Sequence, residues 1–133
     1  MSQNTIRKAG MIVVLATALV APALSQAPAI AKGGSPAVQA RGACAGGGVW
    51  KLKAKHDNGR IQVEYEVDTN RVGQLWRVGL TDNTHRIFLG NKRTTAPSGS
   101  FTVRVLTANR AGTDVIRAHA TLGSRVCGGT VRL

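Results

Sequence analysis

The chain has 133 residues and carries 18 Lys and Arg against six Asp and Glu, which gives a formal net charge of +12. This length allows one small domain beside a targeting segment. The sequence holds no GxSxG, P-loop or HExxH motif, so it lacks the familiar signatures of serine hydrolases, nucleotide-binding enzymes and zinc peptidases. A basic excess of this size favours association with anionic surfaces or polymers.

The first 31 residues have the pattern of a secretory signal peptide. Arg7 and Lys8 form a basic n-region, and Met11–Ala21 is an apolar h-region of 11 residues. This run is shorter than the roughly 20 residues of a membrane span, so we expect no transmembrane segment in the mature form. Small residues place the cleavage after Ala31, with Ala23 as the alternative. We therefore expect a secreted, extracellular protein.

Residues 32–43 are rich in Gly, Ser, Pro and Ala without periodicity, which predicts a flexible linker. The folded domain is predicted to span residues 44–133. Its two cysteines, Cys44 and Cys127, lie near the two ends of this domain. In an exported protein they are expected to form one disulfide bond, since two isolated cysteines are too few for a zinc site.

The most legible strand pattern is a β-hairpin over Val49–Val67. Asn58-Gly59 is the favoured pair for a type I′ turn, because both central residues need positive φ. That turn pairs Trp50 with Val67 and predicts a single apolar face: Trp50, Leu52, Ala54, His56, Ile61, Val63, Tyr65 and Val67. The other face carries cross-strand charge pairs and is expected to be solvated: Lys51–Glu66, Lys53–Glu64 and Asp57–Arg60.

A second hairpin is predicted from the alternation over Gln74–Leu80, where Trp76, Val78 and Leu80 share one face. A turn at Asp82-Asn83 would pair Trp76 with Leu89, and Arg77 with Phe88 on the outer face. Later strands are predicted at 101–106, 113–122 and 125–133, the last with a bulge at Gly128-Gly129. The connection Lys92–Ser100 is expected to cross from one sheet to the other.

Seven short strands with turn signals at this spacing predict an all-β fold, a single antiparallel β-sandwich. Trp76 on the third strand, and Ala111–Asp114 leading into Val115–Ala118, resemble immunoglobulin-like and fibronectin type III-like domains. The cysteines do not follow the antibody pattern, because they lie at the chain ends. The resemblance implies that the third, fourth, sixth and seventh strands form one sheet. The chain also resembles small secreted proteins of unassigned activity from high-GC Gram-positive bacteria.

No residue constellation predicts catalysis. Glu64 and Glu66 share a strand face, but their expected lysine partners indicate a salt-bridged surface rather than an acid/base pair. The three histidines, His56, His85 and His119, fall on separate strands without metal-ligand spacing. We therefore expect neither enzymatic activity, nor a metal, nor a cofactor.

Positive charge is concentrated after residue 69, where nine Arg and one Lys face only Asp82 and Asp114. On the sheet that the resemblance implies, outward positions would form a cationic face with one aromatic ring: Arg77, Arg86, Phe88, Arg117 and His119. Arginine suits bidentate capture of phosphate or carboxylate, and Phe88 could join a cation–π contact. Arg104 is expected beside Glu64 on the other sheet, outside this face.

The leading functional hypothesis is a non-enzymatic binding module that contacts an anionic cell-wall polymer or membrane surface, or extracellular polymers. Nucleic acid is not expected, because no nucleic-acid-binding motif is present. The alternative is a protein-binding inhibitor or effector that inserts the Lys92–Ser100 connection into its partner. A third explanation is purely compositional, with Arg serving solubility and weak nonspecific binding.

Overall fold

The computed structural model describes residues 35–133, so the predicted signal peptide and its cleavage sites lie outside the described part of the chain. These residues form strands and no helix, and they accordingly contain no helical segment able to cross a membrane. The strands are β1 (Val38–Ala43), β2 (Val49–Asp57), β3 (Arg60–Asp68), β4 (Leu75–Asp82), β5 (His85–Arg93), β6 (Ser100–Ala108), β7 (Val115–Leu122) and β8 (Arg125–Arg132).

The strands form two antiparallel sheets. Sheet 1 has the order β1-β2-β3-β6, and sheet 2 has the order β5-β4-β7-β8. This confirms the all-β class, and it confirms that the third, fourth, sixth and seventh strands of the prediction share a sheet. Side chains of both sheets contribute to one hydrophobic core, whose largest fully buried members include Leu52, Ile61, Tyr65, Trp76, Leu80 and Ile116.

The first hairpin has the predicted register. Trp50 lies opposite Val67 and Lys51 opposite Glu66, as an Asn58-Gly59 turn requires. Both turn residues have positive φ, 49° and 75°, the conformation of a type I′ turn. The solvated face is tied by an ion pair of 3.4 Å between Lys51 Nζ and Glu66 Oε2. The register is set by the alternation, because a slip by one residue would expose the whole apolar set.

The second hairpin has a different register from the predicted one. The turn lies at Asn83-Thr84, and Asp82 pairs with His85 instead of entering the turn. Asn83 takes the positive φ of 53°, which asparagine tolerates better than most residues. The register shifts between Leu80 and Thr81, because β5 has one extra residue, Ile87, at this point. This is the pattern of a β-bulge. The predicted Trp76–Leu89 pairing was therefore wrong.

Part of the predicted linker is a strand. Val38–Ala43 pairs with β2 at the edge of sheet 1, from Val38 opposite Ala54 to Ala43 opposite Val49. Its alternate residues Val38 and Ala40 pack against the core. The low hydrophobicity of this stretch suggested disorder. The strand forms because β2 supplies an edge with unpaired backbone groups and β1 satisfies them.

The bulge predicted at Gly128-Gly129 is absent, since β8 pairs with β7 without a register shift. Both glycines serve close packing instead. A Cβ at Gly129 would collide with the indole ring of Trp50, and a Cβ at Gly128 would collide with the carbonyl oxygen of Ala118. Gly129 thus gives Trp50 of sheet 1 the room to lie against a strand of sheet 2.

The disulfide between Cys44 and Cys127 is confirmed, with both residues buried. It joins the segment before β2 to β8 and closes a loop with a sequence separation of 83. Beside it, the buried hydroxyl of Tyr65 donates a 2.8 Å hydrogen bond to the carbonyl oxygen of Cys127. Sheet 1 and sheet 2 are therefore connected by a covalent bond, a buried hydrogen bond and a shared core.

Candidate anion-binding face

The outer face of sheet 2 carries a dense set of cations. On β4, Trp76, Val78 and Leu80 are fully buried, so the alternating residues between them point outward. Extending this parity through the pairings of β5, β7 and β8 defines what we call the arginine face: Arg77, Arg86, Arg93, Arg117, His119 and Arg132. Each of these residues is exposed.

The strand pairings fix the relative positions of three of the arginines on this face. Thr81 on β4 lies opposite Arg86 on one side and opposite Arg117 on the other. Arg77 occupies the same strand, opposite Asn91 and Thr121. Neighbouring strands lie about 4.8 Å apart, so the backbones of Arg86 and Arg117 are separated by about 10 Å across Thr81.

A shallow depression of about 360 Å³ lies within this grid. Its centre is Gly79, which lies opposite Leu89 on β5 and His119 on β7. Because Gly79 has no side chain, the face is open where a larger residue would fill it. The depression is lined by Gly79, Leu80, Thr81, Arg86, Phe88, Leu89, Arg117 and His119. Two arginines therefore border a depression whose surface is mostly apolar.

No carboxylate offsets the charge of this face. Asp82 is the single acid within the four strands of sheet 2, and its side chain is fully buried. The ion pairs among residues 35–133 use Lys51, Arg104 and Arg110 as their cations, so the arginine face takes part in none of them. Its charge is presented to solvent without intramolecular neutralisation.

The sequence placed Arg77, Arg86, Arg117 and His119 correctly on one face but misplaced Phe88. Phe88 pairs with Leu80, not with Arg77, and its ring packs against the core. The extra residue in β5 shifts the strand's alternation and turns Phe88 inward. The cation over its ring is Lys92, whose Nζ lies 5.8 Å from the ring centroid. The predicted outward position of Phe88 opposite Arg77 was therefore wrong.

Several residues of the arginine face and its depression were not predicted from the sequence. Arg93 and Arg132 extend the face at its ends, while Gly79 and Thr81 form its centre. Leu89, predicted to pack on Trp76, is 47% exposed and forms the apolar rim. Arg132 could have been predicted from the alternation of β8, because its neighbour Val131 points inward. The outward position of Leu89 depends on the bulge in β5, for which the sequence carries no signal.

Sheet 1 is electrostatically different. Arg104 Nε donates a 2.8 Å hydrogen bond to Glu64 Oε2, as predicted, which keeps this arginine off the arginine face. Lys51 pairs with Glu66 on the same sheet. The strands of sheet 1 hold six Lys and Arg against four Asp and Glu, whereas those of sheet 2 hold seven against one, so most of the unbalanced positive charge lies on sheet 2.

A buried carboxyl pair lies at one end of the domain. Asp82 and Asp114 are 0% and 1% exposed, and each has an Oδ1 atom without a hydrogen-bond donor. Burial first, and then the neighbouring Asp114, raise the pKa of Asp82, while Arg110 lowers it. Arg110 Nη1 contacts Asp82 Oδ2 at 2.9 Å. Both carboxyl groups are therefore closed to solvent.

The Lys92–Ser100 connection joins β5 of sheet 2 to β6 of sheet 1, as predicted. Its base is held firmly, because the buried Thr94 exchanges backbone hydrogen bonds with Gln74 and Gly73, and Thr69 bonds to the carbonyl oxygen of Gly99. The tip at residues 95–98 is exposed.

Within residues 35–133, His, Cys, Asp and Glu form no group of three or more that could hold a metal ion.

Comparison with known proteins leaves this geometry as the guide to function. No protein-family model matches the chain. Searches of curated proteins and of solved structures likewise returned no match.

Proposed function

We propose that the chain is a secreted, non-enzymatic binding module that uses the arginine face to contact anionic polymers of the cell envelope or of the extracellular space. The observation that carries this proposal is the absence of any neutralising carboxylate on the outer face of sheet 2. Strands fix the backbone of these arginines, so binding of a polymer orders their side chains without ordering a loop. Guanidinium groups are also weakly hydrated and present paired donors to phosphate or carboxylate.

The fold assigned in this proposal is an immunoglobulin-like β-sandwich. Support comes from the sheet orders, which separate β2, β3 and β6 from β4, β5, β7 and β8, and from the fully buried Trp76 on β4. Export is part of the same proposal. It is supported by the signal-peptide pattern before residue 32 and by the disulfide, since such bonds persist mainly outside the cytosol.

The test is retention of the purified, oxidised protein on cell-envelope fractions and on isolated anionic polymers at low and at physiological salt. Binding through several arginines should weaken steeply as salt rises, because each contact is screened. Retention on anionic fractions that declines with salt supports the proposal. Absence of retention at low salt on every anionic fraction overturns it.

A second candidate is a protein-binding module that uses the tip of the Lys92–Ser100 connection. The observation in its favour is a short exposed tip on a base fixed by Thr69 and Thr94. Rigid loops of this kind bind with little ordering cost. Recovery of a specific protein by wild-type chain, and its loss after replacement of Ala96-Pro97 by Gly-Gly, would support this alternative. Recovery unaffected by that replacement would argue against it.

A further inference from the structure

The depression at Gly79 has a construction that general positive charge does not explain. Arg86 and Arg117 lie opposite Thr81 on the two neighbouring strands, and all three residues line the same depression. Gly79 leaves the centre open, and Leu89, 47% exposed, forms a wall beside it. Elsewhere on the face, Arg77 lies between Asn91 and Thr121 and lines no part of this depression.

We propose that this depression, called the Gly79 subsite, binds one tetrahedral oxyanion, the phosphate or sulfate ester group of a polymer unit. A tetrahedral oxyanion accepts hydrogen bonds from several directions, which suits donors that arrive from Arg86, Arg117 and Thr81. A carboxylate presents two oxygens in one plane and is satisfied by a single guanidinium fork. The apolar wall of Leu89 would contact the sugar or polyol body that carries the ester.

This inference rests on the proposed function and refines it from polyanions in general to one class of anion. The proposal depends on the absence of a side chain at Gly79, which leaves the depression open. A Cβ placed at Gly79 would lie 3.7 Å from His119 Nδ1 and 3.9 Å from Leu89 Cδ1, which are ordinary contacts. A Cβ at this position therefore meets no clash, and Gly79→Val adds bulk to the depression without changing the net charge.

The experiment compares wild type with Gly79→Val, Thr81→Val and the control Thr121→Val, which removes a hydroxyl from the same face beside Arg77. Side-chain Nε–H signals of Arg86 and Arg117 are followed by nuclear magnetic resonance during titration with inorganic phosphate, sulfate or acetate at constant ionic strength. We expect saturable shifts with phosphate or sulfate and none with acetate. Gly79→Val should weaken this binding about tenfold, Thr81→Val less, and Thr121→Val not at all.

Retention on phosphate-bearing, sulfated and carboxylated polymers of matched charge density is measured with the same four proteins. Preference for phosphate or sulfate that Gly79→Val abolishes supports the subsite, and the preferred polymer identifies which ester is bound. Equal retention on all three polymers, unaffected by Gly79→Val, overturns the subsite while leaving the proposed function intact. Failure of wild type to bind any polymer overturns both. Chemical denaturation of each variant confirms that the fold is retained.

Discussion

Asp82 and Asp114 are both buried inside the domain, and the charge of Asp114 helps to raise the pKa of Asp82, although 32 residues separate the two along the chain. Two buried carboxylates cannot both be ionised without a large electrostatic cost. The pair therefore makes the stability of the fold sensitive to pH.

The first prediction concerns this pH dependence. The pKa of Asp82 in the folded protein is raised above its ordinary value of 3.8, chiefly by burial and then by Asp114. Its stabilising contribution is complete below that value and is lost as pH rises through the raised pKa. Asp114→Asn removes one carboxylate and provides an amide donor to Asp82. The free energy of unfolding of this variant, minus that of wild type, should therefore grow from about pH 4 to about pH 8.

Denaturant unfolding at a series of pH values and constant ionic strength measures this difference. Glu66→Gln, which removes an exposed carboxylate paired with Lys51, is the control and should give a nearly flat difference. A difference for Asp114→Asn that is equally flat would contradict the contribution of Asp114 to the raised pKa of Asp82.

The second prediction concerns Arg110, the cation that contacts the buried pair. Arg110→Gln leaves Asp82 without its charged partner and should lower the free energy of unfolding at neutral pH by about 2–3 kcal/mol. This is below the usual cost for fully buried pairs, because the Arg110 side chain is 33% exposed. The matched control Arg104→Gln breaks an exposed pair with Glu64 and should cost less than about 1 kcal/mol. Equal losses would contradict a special role for Arg110.

Residues 58–59 explain why sequence alone predicted the first hairpin so fully. The turn pair and the alternation on both sides specify the same register, and no distant residue is needed. Asp82 explains the failure at the second hairpin. Aspartate is common in turns, but here its partners Arg110 and Asp114 lie about thirty residues away and draw it into the interior.

The candidate site likewise has a part that local sequence predicts and a part that depends on residues distant in the chain. Alternation from Trp76 and from Ile116 predicted which side chains point outward, and the resemblance to immunoglobulin-like domains supplied the prediction that their strands share a sheet. The Gly79 depression was not predictable, because it depends on which strands neighbour β4 and on the extra residue in β5. The strand β1 was missed for a related reason, since an edge strand with few apolar residues takes its stability from the neighbour it pairs with.

The third prediction concerns Gly129 and Trp50. Gly129→Ala would drive a methyl group into the indole ring and should cost about 1–3 kcal/mol, the usual range for overpacking. Gly79→Ala is the control, since its Cβ meets only ordinary contacts. Gly129→Ala should cost less free energy of unfolding in a Trp50→Leu background than in wild type, because the indole ring that the methyl group meets is then absent. Additive losses in a double-mutant cycle, measured by urea unfolding, would contradict direct contact.

The fourth prediction concerns the disulfide. Replacing Cys44 and Cys127 together by Ala opens a loop with a sequence separation of 83 and should lower the free energy of unfolding by about 4 kcal/mol. Wild type treated with a reductant should lose a similar amount, whereas the double variant should not respond to reductant. A wild type that unfolds at the same denaturant concentration with and without reductant would contradict this account.

The arginine face is the central claim, and the alternative explanation is net charge alone. The decisive measurement compares two triple variants that remove equal charge from different sheets: Arg77→Gln with Arg86→Gln and Arg117→Gln on sheet 2, and Lys51→Gln with Lys53→Gln and Lys55→Gln on sheet 1. Affinity for an anionic cell-envelope polymer is measured at several salt concentrations. We predict that the sheet 2 variant loses at least about tenfold in affinity and binds with a weaker salt dependence, because screened arginine contacts are missing. The sheet 1 variant should stay within about threefold of wild type. Equal losses in the two variants would contradict the account, because binding would then follow net charge and not the arginine face.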